Sequence, residues 1–117
     1  MNSSDRPFRR RIASNLLWTP GGLIRHPVVT FCDPEGTFFV ESCPTPDRLP
    51  CTEFYAGVLV ADFPADYVRV FERLRTAGGD LSRLLPQTVV DGGIWVVISG
   101  LDYASLRLVA ASRIRAL

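Results

Sequence analysis

The order of apolar and polar positions along the chain predicts a run of strands, one helical excursion, and a return to strands. Residues 9–18 ("RRIASNLLW" in their core) predict a strand, closed by the turn signal "TPGG" at 19–22. "LIRHPVVTFC" resumes as strand, and Pro27 within it marks an edge or a bulge. "DPEG" at 33–36 has proline second and glycine fourth, which suits a type I turn, so "TFFVESC" should return antiparallel as the second arm of a hairpin. "PTPDRLPC" at 44–51 carries three prolines and predicts a loop. In "EFYAGVLVADF" the central Val58, Leu59 and Val60 are apolar on both faces, which predicts a strand covered on both sides, in the middle of the sheet.

The period then changes. Tyr67, Val70, Phe71, Leu74 and Ala77 fall at helical spacing and Arg69, Glu72, Arg73 and Arg75 fill the other side, predicting a helix over 66–77. Pro64 suits its first turn, and Gly78 with Gly79 stops it. Asp80 can cap a second short helix, "LSRLL", ended by Pro86. "GIWVVISG" at 93–100 reads as strand, "LDYA" as a turn, and "SLRLVAASRIRAL" at 105–117 as a last strand. Runs of strands around one helical segment predict an α+β, mainly β domain on an antiparallel or mixed sheet rather than an alternating βαβ order. The 117 residues fit one domain, divided into N-terminal strands (8–63), a helical excursion (64–88) and C-terminal strands (89–117).

Charge and composition narrow the partners. The 13 basic residues, all arginine, nearly balance 12 acidic ones, so no net field favours nucleic acid or an anionic membrane. The arginine-rich start at Arg6, Arg9, Arg10 and Arg11 precedes an apolar stretch that Asn15 interrupts, too short for a secretory core, and no window approaches a membrane span; a cytoplasmic location is the expectation. Cys32, Cys43 and Cys51 lack the close pairing of a metal knuckle. Reduced thiols and a Cys43–Cys51 bridge are both compatible with that spacing.

Candidate chemistry is sparse. His26, the one histidine, sits between Arg25 and Pro27 in a predicted edge strand, and no serine stands in a nucleophile-elbow context. Asp62 and Asp66 flank the strand-to-helix junction, with Glu53 at the start of the central strand; helix capping accounts for the two aspartates without invoking acid–base work. "TPGGL" and "DGGI" fit neither the Walker nor the dinucleotide pattern. An apolar cleft at 57–67, with Asp62, Asp66 or Tyr67 as polar contacts, is the place where a small ligand would bind.

Three segments, "RRIASNLLWTPGG", "LIRHPVVTFCDPEGTFFVESCPTPDRLPCTEFYAGVLVADF" and "GGIWVVISGLDYASLRLVAASRIRAL", resemble in order the N- and C-terminal pieces of amidohydrolase-superfamily enzymes, especially relatives of cytosine deaminase and chlorohydrolase. The resemblance implies a small β-sandwich-like composite domain, which in those metal-dependent hydrolases stands beside a metal-bearing TIM barrel. Gly57, Val60 and Phe63 match the family's Gly…Val-Pro-Gly-Phe stretch, but Ala61 and Asp62 replace Pro-Gly, and Tyr67 and Arg69 stand where its His-x-His metal pair would be. A barrel takes ~200 residues, whereas about 25 lie between Phe63 and Val89, none of them histidine. The resemblance therefore implies a non-catalytic domain without cofactor or catalytic metal. The sheet face that a barrel would cover needs another cover: the Tyr67, Phe71 and Leu74 face of the helix, a second copy of the chain, or a protein partner. A new hydrolase built on His26 or the carboxylates ranks last.

Overall fold

In the computed structural model, which describes residues 9–32, 37–42, 52–78 and 80–117, the strands form one mixed sheet. Its elements are β1 (Arg9–Thr19), β2 (Gly22–Arg25), β3 (Pro27–Cys32), β4 (Thr37–Ser42), β5 (Thr52–Phe63), the helices α1 (Tyr67–Thr76) and α2 (Leu81–Leu84) with a 3-10 turn (Leu85–Gln87), then β6 (Ile94–Ser99) and β7 (Arg113–Ala116). The strand order is β4-β3-β1-β5-β6-β7, with β2 also on β1. The β1–β5 pair is parallel and the other pairs are antiparallel. The central place expected for the "EFYAGVLVADF" strand is the one β5 takes, between β1 and β6. The proline-rich loop, the turn at 33–36 and the pairing of Cys43 with Cys51 lie outside the described residues.

The break anticipated near Pro27 falls on His26. Leu16 pairs with Arg25 and Ala13 with Val28, so β2 and β3 keep one register against β1 and are separated only by His26, whose φ is 51°. Opposite this break the pleat of β1 inverts: Ile12 and Leu17, an odd number of residues apart, pack in the same core, as Ile24 and Val29 do on the neighbouring strands. Strict alternation would have put each pair on opposite faces.

Two apolar layers result. On one face Val58, Val60, Phe63, Val96 and Ile98 pack against Val70, Phe71 and Leu74 of α1 and against Leu81 and Leu85. On the other, Ile12, Leu17, Val29, Leu59 and Val97 form a second core, flanked by Val40 of β4 and Trp95 of β6. Val40 and Trp95 line one cavity of about 210 Å³. In a flat sheet β4 and β6 would stand four strand spacings apart, about 19 Å, so the sheet curls strongly towards this second face.

The helix follows from its pattern. Of its predicted stripe Val70, Phe71 and Leu74 are buried and Tyr67 is half-buried, whereas Ala77, past the last helical residue, is exposed; Arg73 and Arg75 lie in its last turn where they favour the helix dipole, and Gly78, at φ 111°, ends it. Pro86 sits inside the 3-10 turn rather than closing α2.

The last predicted strand is much shorter than its alternation suggested. Only Arg113–Ala116 pair with β6; residues 101–112 form turns, closed by reciprocal backbone hydrogen bonds between Asp102 and Arg107. Leu101, Leu106 and Leu108 are buried as plugs over the helix-side core, and the carbonyl of Leu106 (φ 56°) accepts the Leu81 N–H at 2.9 Å. Tertiary burial of these leucines overrides the local strand pattern.

Candidate functional site

The strand-to-helix junction is a β-bulge followed by a closed corner. Val60 pairs with Val96 and Phe63 with Ile94, so β5 carries one residue more than β6 across this interval. The extra residue brings Asp62 to φ 60°, a left-handed conformation that aspartate tolerates better than most residues. The Asp62 carbonyl accepts the Val90 N–H at 2.8 Å, which ties the end of the helical excursion to its start. Gly93 packs directly on this bulge: a Cβ there would stand 2.4 Å from the Asp62 carbonyl carbon. The tightness of the corner is thus backbone against backbone.

Neither aspartate caps the helix through its side chain. Asp62 belongs to the bulge, and Asp66 occupies the N-cap position with its carbonyl accepting the Val70 N–H at 3.1 Å while its carboxylate makes no capping bond. The three residues singled out at the junction also do not converge on one cleft. Asp62 lines the 210 Å³ cavity together with Leu17, Val40, Val89 and Trp95. Asp66 and Tyr67 instead line a shallow concavity with Val68, Arg69 and Glu72, and Asp66 a groove between α1 and the 3-10 turn. Glu53 lies elsewhere on β5, where its Oε1 accepts the Tyr55 hydroxyl at 2.8 Å.

A fourth concavity, of about 640 Å³, lies over the break between β2 and β3. Leu16 and Leu23 line it with Asn15, Arg25, His26, Tyr103 and Ala104. The register explains how these side chains meet. Leu16 stands opposite Arg25, and Trp18 opposite Leu23; directly paired residues share a face, so Leu16, Leu23 and Arg25 all project to the side that carries the helices. The turn after β6 brings Tyr103 over the same area. His26 is held at positive φ, a conformation that costs a non-glycine residue about 1–2 kcal/mol, and its N–H donates to the Asn15 carbonyl at 3.2 Å.

Asn15 is oriented by a second bond. Its Oδ1 accepts the Gly57 N–H at 2.9 Å, so the remaining function of the amide is its NH2 donor pair. Asn15 and Tyr103 were not among the expected site residues. The one signal for Asn15 was a polar residue interrupting an apolar strand, and Tyr103 carried none, because only the fold brings the turn to β1.

Among the described residues, no three His, Cys, Asp or Glu side chains gather as a metal-binding group. No helix among them is long and apolar enough to cross a membrane. Comparison with family models, with curated proteins and with solved structures returns no match to this chain.

Proposed function

We propose that this chain is a non-catalytic domain of the composite, sandwich-like type that its sequence resembles in amidohydrolases, and that it works as an interaction or self-association module. The observation that carries the reading is the joining of the two sequence halves in one sheet. Val58, Leu59 and Val60 of β5 pair with Ile98, Val97 and Val96 of β6, while the segment between them is short and closed by the Asp62–Val90 hydrogen bond. The strong curl that brings Val40 of β4 and Trp95 of β6 to one cavity is what a sandwich-like closure requires.

Helix α1 covers the β5–β6 part of its face, and apolar residues remain uncovered beside it. Leu23 is 46% exposed and Phe54 55% exposed. Leu23 shares the helix side through its pairing with Trp18, and Phe54 points away from the second core that its neighbour Tyr55 flanks. A second copy of the chain on this part of the sheet is the proposed cover. Sedimentation velocity on the full chain tests it: the expected result is concentration-dependent association that Phe54→Ser weakens, and a strict monomer at tens of micromolar removes the self-association. Metal analysis of protein purified without chelator tests the non-catalytic part, which stoichiometric zinc or iron overturns.

The 210 Å³ cleft favours a second reading, a small-ligand module at the junction, because it pairs apolar walls with one carboxylate, Asp62. A thermal-shift screen of small amines, acids and nucleobases, with Asp62→Ala and Tyr67→Phe as controls, decides between the two: a hit lost in the Asp62 variant supports the ligand module.

A further inference from the structure

We propose that the 210 Å³ cavity at the strand-to-helix junction takes a small apolar amine in its ammonium form, the hydrocarbon body inside and the charge at Asp62. This rests on the small-ligand reading of that cleft and names the ligand.

Three features carry the inference. The first is an unmatched charge. Among the described residues Asp62 is the one charged side chain that lines the cavity, and its carboxylate takes part in no hydrogen bond and no ion pair. An anionic ligand would meet a like charge there, whereas an ammonium brings the opposite charge together with N–H donors. Asp62 is not the only acid at this corner. Val90 donates to the Asp62 carbonyl at 2.8 Å, which brings the next residue, the exposed Asp91, to the same place and biases it further towards a cation. The second feature is Thr19. Its hydroxyl already donates to the Gly22 carbonyl at 2.7 Å, so what it retains for a ligand is acceptance, which suits an N–H. The third is shape. Leu17, Val40, Ala61, Val89 and Trp95 supply apolar walls, and the exposed Asp62 stands at the mouth. Trp95 serves only as wall; recognition of the charge falls to Asp62. A volume of about 210 Å³ lies below the ~300–1,000 Å³ of pockets for drug-sized ligands, so a single ring or a short branched chain is the size that fits. The main chain of the mouth is fixed by the Val90 bond and by Gly93 packed on the bulge, which leaves only the torsions of one short side chain to be ordered on binding.

The test uses benzylamine as probe, with benzyl alcohol as its neutral counterpart, each titrated into the full chain at neutral pH and followed by backbone amide chemical shifts. The expected result is saturable binding of benzylamine, with shifts concentrated at 17–19, 61–62, 89 and 95, and binding of benzyl alcohol at the same residues roughly tenfold weaker. Asp62→Asn keeps a residue that tolerates the left-handed backbone, so it should melt as the parent does while its benzylamine affinity falls to that for benzyl alcohol. The comparison of the two probes needs no variant and stands even if the substitution disturbs the bulge. Equal binding of benzylamine and benzyl alcohol at these residues overturns the amine and leaves the small-ligand reading of the cleft in place. No saturable shift with either probe up to about 20 mM overturns both. Shifts confined to other parts of the protein, or undiminished benzylamine binding in a folded Asp62→Asn, also overturn the proposal.

Discussion

The side-chain carbonyl of Asn15 accepts the backbone N–H of Gly57 at 2.9 Å across the parallel pair β1–β5. On β1, Ser14 pairs with Tyr55 and Leu16 with Val58, so the single residue Asn15 faces both Ala56 and Gly57. That extra residue leaves a ladder donor without a backbone partner, and the Asn15 amide supplies one. On its other side the Asn15 main chain accepts from His26. One residue therefore manages the irregularities of both neighbouring strands, at the level where the β1 pleat inverts.

Asn15→Ala is expected to lose about 1–2 kcal/mol of unfolding free energy, because the Gly57 N–H keeps its place in the sheet and loses its acceptor. Asn15→Asp preserves an acceptor at the same reach and should recover most of the loss. Urea denaturation of the three proteins, with equal m-values as the check on a common native state, measures both effects.

Gly57 is more demanding still. At φ 145°, and with a Cβ placed 2.4 Å from the Ile98 carbonyl oxygen and 2.9 Å from a Val97 methyl, alanine there meets backbone that cannot step aside. Gly57→Ala is expected to destabilise by roughly 3 kcal/mol or more. A thermal melt showing an unchanged midpoint would rule out this close approach of Gly57 to the Ile98 carbonyl.

These two positions show where the sequence is and is not legible. The apolar run Val58–Leu59–Val60 announces a strand buried on both faces, and β5 is that strand, because both neighbours of the sheet and both cores need it. The stripe of Val70, Phe71 and Leu74 announces the helix for the same reason: a single face must be buried. The inversion at Asn15 is not legible. Ile12, Ala13, Leu16, Leu17 and Trp18 are all buried, so either phase of the alternation is compatible with their pattern. The stretch 105–112 misleads in the opposite way: its alternating leucines meet the helix-side core from a turn and not from a ladder. Of the candidate residues, the junction's Asp62 and Asp66 were visible because they punctuate a change of period, while the meeting of Asn15, His26 and Tyr103 depends on register and on a turn placed by tertiary burial.

Arg75 ties the helix to the turns before β7. Its guanidinium donates to the Ala110 carbonyl at 3.0 Å and to the Ser112 carbonyl at 2.9 Å, and lies over the Phe71 ring at 5.0 Å. Arg75→Met keeps much of the packing and removes the two charge-assisted bonds, so a loss of about 1–3 kcal/mol is expected. Arg75→Lys should fall short of rescue, since one ammonium cannot reproduce a planar fork aimed at two carbonyls. Hydrogen exchange locates the effect: protection should fall first at 108–113, ahead of the β1–β5 ladder.

Acid should loosen the turn that buries Leu106 before it unfolds the sheet. The Asp102 carboxyl is held below its ordinary value of 3.8, first by the Ala104 N–H it accepts and then by Ser105. Because the folded-state value is the lower one, the contribution of this carboxylate is complete above the ordinary value and is lost as pH falls from there through the depressed one. Asp80, where α2 begins, is depressed in the same direction, chiefly by the Ser82 hydroxyl that donates to it at 2.7 Å, with the nearby Arg107 charge adding to the effect. Asp102→Ala should therefore be less stable than the parent at neutral pH, and the gap should close as both are taken below the ordinary carboxylate range. Both carboxylates are solvated, so added salt should reduce the Arg107 part of the Asp80 effect while leaving the Asp102 turn bonds in place. A gap between Asp102→Ala and the parent that persists unchanged into strong acid would show that the side chain acts there by packing and not through its charge.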